Sequence, residues 1–263
     1  MGSNAQARIS YASMPTMTGY GFDHSWTNEQ RRMALIEQCW DTATTERLAA
    51  VGVDRGWRCL EVGAGNGSIA RWLRDRVGSS GQVVAIDLDT RFFADERGIE
   101  ARNADVLVDE IEQDTYDLVH CRALLHHLVG NQLRAIERMA AALQTGGVLV
   151  ADEPYLGAIF ASQTPYGVAY RAVDDAMPAD YEWAVGLPQS FQAAGLSDVE
   201  SCASTDIVQG GTPAAELLAL TIEAVRERIP EGVDIDSGIE MLNDPANFLP
   251  GVVWFSAWGR RHG

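Results

Sequence analysis

The sequence predicts an α/β domain built on a doubly wound, mostly parallel sheet. Three observations carry this. Between Trp57 and Pro154, short apolar runs alternate with amphipathic stretches, the pattern of repeated strand–helix–strand units. Runs such as Val83-Val84-Ala85-Ile86 show no polar alternation, as strands covered on both faces require. The first run also leads directly into Gly63-Ala64-Gly65-Asn66-Gly67, a turn whose glycines let the backbone bend sharply before the next helix.

Each element has its own signal. Thr27 and Gln30 form a capping-box pair ahead of a helix from about Asn28 to Cys39 or beyond, with Met33, Ile36 and Trp40 at helical spacing. Leu48 belongs to a further turn of helix. Strands are expected at Arg58–Gly63, Gln82–Asp87, Ile99–Ala104, Tyr116–Cys121 and Val148–Asp152. Between them, Ile69, Trp72, Leu73 and Val77 line one helical face, and Leu133, Ile136, Ala140 and Leu143 another. Tyr155 to Pro188 carry aromatics and prolines without a strand signal and read as an inserted helical cover. Phe191 to Ile207 read as a short helix and then a strand. Thr212 at the N-cap and Pro213 at N1 start a helix with Leu218, Ile222, Val225 and Ile229 on one face. Val252–Trp258 is the last strand, bringing the sheet to seven, and the final two strands are expected to form its antiparallel edge. The expected organisation is a single domain over 1–263: a helical cap at 1–56, a core at 57–154, and lid insertions at 155–190 and 208–248.

Composition narrows the function classes. With 263 residues, of which 46% are hydrophobic, the chain can bury a full core without disulfides. Cys39, Cys59, Cys121 and Cys202 are far apart with no CxxC pair, which fits a reduced cytoplasmic protein and no structural metal. No apolar run approaches the ~20 residues a membrane span needs, and Met1 to Tyr11 show no signal-peptide pattern. A net charge of −17, with Arg71, Arg74 and Arg76 the densest basic cluster, argues against a nucleic-acid partner and leaves small molecules as the expected substrates. Oligomeric state is not legible.

The glycine turn marks the ligand site. Asp87 ends the second strand, and a carboxylate there accepts two hydrogen bonds from ribose hydroxyls. Asp89 competes for this role; Asp87 is preferred because it closes the apolar run directly. A nicotinamide dinucleotide site carries a similar loop, but usually with glycine or alanine where Ser68 stands, and usually at the start of its domain.

Five motifs in order then resemble the class I S-adenosylmethionine-dependent methyltransferases. They are Leu60-Glu61-Val62-Gly63-Ala64-Gly65-Asn66-Gly67, Ala85-Ile86-Asp87-Leu88-Asp89, Asn103-Ala104-Asp105-Val106, Tyr116-Asp117-Leu118-Val119-His120-Cys121-Arg122 and Gly146-Gly147-Val148-Leu149-Val150. The resemblance implies a Rossmann-like doubly wound seven-stranded sheet with an antiparallel last strand, and S-adenosylmethionine as cofactor, with S-adenosylhomocysteine as its product. It also implies residue roles. Glu61, Gly63, Ala64 and Gly65 belong to the motif beside the cofactor's methionine part. Asp87 would hold the ribose, with Leu88 against the adenine face. Asp105 would accept from the adenine amino group beside the backbone of Val106, and Cys121 and Arg122 would lie near the sulfonium. Tyr20-Gly21-Phe22-Asp23-His24 resembles an actinobacterial-type subgroup whose aromatic residues close over the cofactor, which makes Tyr20 a candidate contact, with plain packing as its alternative.

If the acceptor is a hydroxyl, a base helps, and His126-His127 follows the fourth strand at the sheet's ligand-binding edge. His127 is the leading candidate and Asp152, ending the fifth strand, its orienting partner. His126 is the alternative base, Glu153 the alternative acid, and a packing role for both histidines stays open. Trp26, Tyr155, Tyr166, Tyr170, Tyr181 and Trp183 either clamp a substrate or form a core between lid helices. Some O-methyltransferases of sugars and natural products resemble this pattern, so the expected reaction is methylation of an oxygen on a metabolite or natural product. A cofactor-binding protein of this fold that catalyses a cyclisation or elimination without methylating is the alternative.

Overall fold

A computed structural model describes residues 28–263. Tyr20, His24, Trp26 and Thr27, and with them the capping box and the subgroup motif, lie outside the described residues. The described residues open with one continuous helix, α1 (Glu29–Ala50), rather than two pieces. The core follows as β1 (Arg58–Val62), α2 (Ser68–Val77), β2 (Gln82–Asp87), β3 (Glu100–Asn103), β4 (Tyr116–Arg122), α3 (Gln132–Ala142) and β5 (Leu143–Tyr155). Then come α4 (Gly157–Phe160), α5 (Pro165–Ala176), α6 (Leu187–Ala193), β6 (Ser197–Gln209), α7 (Pro213–Ala224), α8 (Asp236–Asn243) and β7 (Phe248–Arg260).

The seven strands are ordered β3-β2-β1-β4-β5-β7-β6. The first five run parallel, and β7 pairs antiparallel with both β5 and β6. The last strand is therefore not at the edge: it is inserted, and β6 takes the rim. Burial explains the placement. β7 buries Leu249, Trp254 and Ala257 between its neighbours, whereas nearly every residue of β6 is exposed. The apolar strand takes two partners and the polar one is left facing water.

Two apolar clusters sandwich the sheet. Cys59, Leu118, Val148 and Val150 point toward α1 and α2, while Leu60, Val119, Leu149 and Ala151 point toward α3 and α6. This is the period-2 alternation of strands covered on both sides. A third cluster belongs to α4, α5, α7 and α8. Tyr166 and Tyr170 are buried in it, and their hydroxyls donate to the carbonyls of Pro250 and Leu218, each at 3.1 Å. Those tyrosines are core between lid helices. Thr212 caps α7 with Pro213 at its first turn, as its sequence predicts.

Candidate functional site

The turn after β1 is built by backbone geometry. Gly63 and Ala64 donate their amides to the Ile86 carbonyl at 2.9 and 3.2 Å, which ties the turn to the end of β2. Gly65 and Gly67 have φ of +56° and +80°, the left-handed region that side chains resist. A Cβ on Gly67 would stand 2.7 Å from Cβ of Phe93, which cannot swing aside. A Cβ on Gly65 would stand 2.7 Å from the terminal methyl of Met33 on α1. The loop thus presents bare backbone beneath the α1 helix.

Asp87 sits where the loop meets β2. One of its oxygens accepts from the Gly65 amide at 2.8 Å and the other from the Asp89 amide at 3.0 Å. The carboxylate is therefore held in place at the tip of the first two strands. Its rival Asp89 turns to Arg91 at 2.7 Å. Leu88 next to it is 52% exposed, an apolar side chain left uncovered at the same edge. Asp105 accepts from the Leu107 amide at 2.8 Å, which shapes the turn after β3, and Val106 is buried.

Three motif residues turn elsewhere. Glu61 is buried and meets His120 Nδ1 at 2.7 Å, because the register places these two residues side by side on one face. The Cys121 thiol enters the apolar cluster on the opposite face, where burial pushes its pKa well up. Arg122 reaches α1, donating to Asp41 at 2.8 Å and to Thr44 at 3.2 Å. The side chains of Glu61, Cys121 and Arg122 are engaged within the protein.

The expectation that Asp152 orients His127 is corrected by strand parity. Asp152 shares the face of Glu61 and His120, and it accepts from Thr44 at 3.0 Å and from Arg47 at 2.8 Å, both on α1. His120 Nε2 stands 3.9 Å from Asp152, an ion-pair distance. Burial pulls the His120 pKa down, but the two flanking carboxylates outweigh it and raise it to about 9. A charged row, Glu61–His120–Asp152–Arg47, therefore crosses three strands and fastens α1 to the sheet.

Glu153 points the other way, toward the histidines. It accepts from the amides of Leu124, Leu125 and His126 at 2.9, 2.8 and 3.2 Å, and meets His126 Nδ1 at 2.9 Å. This holds the turn after β4, in which Ala123 adopts a φ of +53°. The His126 ring lies 3.9 Å from that of His127 and stacks on Tyr181 at 4.9 Å. Burial lowers the pKa of His126 to about 3 and, together with His126, holds that of His127 well below its usual value. Burial also raises Glu153 to about 7, against the pull of its three amide donors.

Comparison with known proteins decides the fold. Residues 60–149, from the start of the glycine motif to the middle of β5, match a family described as a methyltransferase domain. A similar chain trace recurs in solved structures over most of this chain. This is the class I methyltransferase fold. The YcgJ protein of Bacillus subtilis superposes with a TM-score of 0.57 at 15% identity, over 89% of this chain and 99% of that one. The protein in complex with the Trm112 methyltransferase activator of Haloferax volcanii gives 0.57 at 16% identity, over 90% and 96%. Phosphoethanolamine N-methyltransferase 2 of Haemonchus contortus, in complex with S-adenosylhomocysteine, gives 0.56 at 16% identity, over 89% of this chain and 53% of that one. No curated protein sequence matches the chain significantly.

In a class I methyltransferase fold the carboxyl ends of the parallel strands form the ligand edge. The glycine loop, Asp87, Leu88 and the His126–His127 turn all lie there. Sequence reading missed His120, Arg47 and Thr44. The available signal was a polar residue interrupting each of two adjacent apolar strands, Glu61 and His120. Among the described residues, no helix is long and apolar enough to cross a membrane.

Proposed function

We propose that this chain binds S-adenosylmethionine and transfers its methyl group to an oxygen of a small-molecule metabolite or natural product. The observation that carries the reading is the bare glycine loop beside an anchored carboxylate. Gly63, Ala64 and Gly65 would lie against the methionine part of the cofactor, with the flexible Met33 side chain moving aside from Gly65. Asp87 is held at the strand tip by two backbone amides, where a carboxylate can accept from ribose hydroxyls. The exposed Leu88 would offer an apolar face to adenine, and Asp105 would accept from the adenine amino group beside the Val106 backbone.

When bound, the cofactor supplies an electrophilic methyl on its sulfonium. The chain's own residues then have to align an acceptor and take its proton, and alignment alone can supply roughly 7–11 kcal/mol of the barrier. We assign the proton to His127. Burial and its neighbour His126 hold the imidazole well below its usual pKa, so it is neutral at neutral pH, the state a base starts from. His126 and Glu153 beneath it fix the turn that carries His127, which makes them positioning residues. Tyr181 and Phe160, with ring centroids 6.5 Å apart, close the lid side of the histidines. The described residues hold no group of histidine, cysteine and carboxylate side chains suited to a metal, and none is invoked.

Isothermal titration with S-adenosylhomocysteine tests the cofactor; binding of NADH in its place would end the reading. Mass spectrometry of the product tests the reaction: a methylated product gains one methyl, and the product of a cyclisation gains none. His127→Ala is expected to lower turnover by ~10²–10⁴ while S-adenosylhomocysteine affinity changes by no more than about twofold. Unchanged turnover would remove His127 as the base.

A further inference from the structure

The face of α1 that covers the glycine loop carries Met33, Glu37 and Asp41 one helical turn apart. Each has a counterpart below. Met33 lies over Gly65, the Asn66 side chain donates to Glu37, and Ser68 donates to Asp41 at 3.2 Å. Asp41 is also engaged by Arg122 at 2.8 Å. Glu37 differs from its neighbours. Its Oε1 is buried yet accepts no hydrogen bond, and the nearest cation, Arg71 Nη2, is 3.6 Å away.

A buried carboxylate oxygen without a donor costs free energy unless something else fills the role. Arg71 Nη2 supplies an opposite charge at 3.6 Å but no hydrogen bond to that oxygen. Its neighbour Nη1 donates to the Asn66 carbonyl at 2.7 Å and pairs with Glu96 at 3.5 Å, which holds the guanidinium where it is. Beneath Glu37 lies the glycine loop, and in the proposed reading the amino-acid end of the cofactor sits between the two. An α-ammonium is a compact cation with three donors, which suits such an oxygen.

We infer that Glu37 is the acceptor for the α-ammonium of the bound cofactor, so that α1 reads the amino-acid end while Asp87 reads the ribose. The inference rests on the proposed cofactor site. It adds a recognition residue far in sequence from the glycine motif, and it makes α1 part of the binding site. Burial raises the Glu37 carboxyl, with Asp41 adding to the rise, while Arg71, Arg122 and Asn66 hold it down. An incoming ammonium would add to that last group.

The test compares two ligands on the full chain by isothermal titration: S-adenosylhomocysteine and its deaminated analogue, which keeps the nucleoside, thioether and carboxylate. The wild-type protein is expected to prefer the amine-bearing ligand by about tenfold or more. Glu37→Gln should abolish that preference and leave affinity for the deaminated analogue within about twofold. Glu37→Asp, which keeps the charge, should retain a preference for the amine, and thermal melts of both variants confirm folding. Equal loss of both ligands in Glu37→Gln would mean that the residue only braces α1, and would overturn the inference. So would a wild-type protein indifferent to the amine. If the wild-type protein binds neither ligand, the cofactor reading fails first, and that result is distinct from the other two.

Discussion

Replacing His120 by leucine removes the middle of the charged row while roughly conserving volume. Glu61 and Asp152, 3% and 2% exposed, would then face each other across the gap with only Asp152 still held by Arg47 and Thr44. Removing one partner of a buried ion pair costs about 3–5 kcal/mol. A second route reaches the same size. A histidine whose pKa is raised to about 9 in the fold, against 6.5 in the unfolded chain, contributes roughly 3 kcal/mol where it is fully protonated. The sign follows from the direction: the contribution is complete below pH 6.5 and is lost as pH rises through about 9. Other buried groups titrate in this window too, among them His126, His127, Glu153 and Cys121, so the His120 share is read as the difference between wild type and variant. Urea unfolding from pH 6 to 10 is the assay. His120→Leu should be less stable by about 3–5 kcal/mol at pH 6, and that difference should shrink by about 3 kcal/mol by pH 10. At neutral pH the loss corresponds to a melting temperature lower by roughly 6–20 °C. A variant within about 1 kcal/mol of wild type at pH 6, or a wild-type-to-variant difference that stays constant through pH 9, would refute a charged His120 between two carboxylates.

Two further outcomes follow from the site. Asp87→Ala should weaken S-adenosylhomocysteine binding by about tenfold or more, because the ribose loses its acceptor and the amides of Gly65 and Asp89 lose theirs; titration calorimetry checks this, and unchanged affinity would place the nucleoside elsewhere. Glu153→Gln should destabilise the protein by about 1–3 kcal/mol, since one amide NH2 replaces an acceptor facing four donors. Because burial raises the Glu153 pKa from 4.5 to about 7, wild-type stability should fall as pH rises between those values, and the variant should lack that share of the fall in a denaturant series.

The strand–helix alternation, the glycine turn, Asp87 at the end of β2 and the Thr212 cap were all legible, because each is a local property: periodicity, φ preference, or a donor within one turn. Bounds were less so. β5 runs to Tyr155 rather than Asp152, and β7 reaches Arg260, since long antiparallel pairing extends strands beyond their apolar centres. The aromatics of the cover could be read as clamp or core, and burial of Tyr166 and Tyr170 makes those two core.

What the sequence determined by itself was the set of elements and the edge of the sheet where ligands meet it. Only the tertiary structure decided partnership. Asp152 and Glu153 are adjacent in the chain, yet one joins α1 through Arg47 and the other holds the histidine turn, because consecutive strand residues face opposite sides. Which side belongs to which helix depends on how layers stack, and whether β7 enters between β5 and β6 depends on which strand has apolar surface to bury on both flanks. Those are properties of contacts between distant segments, and no window along the chain contains them.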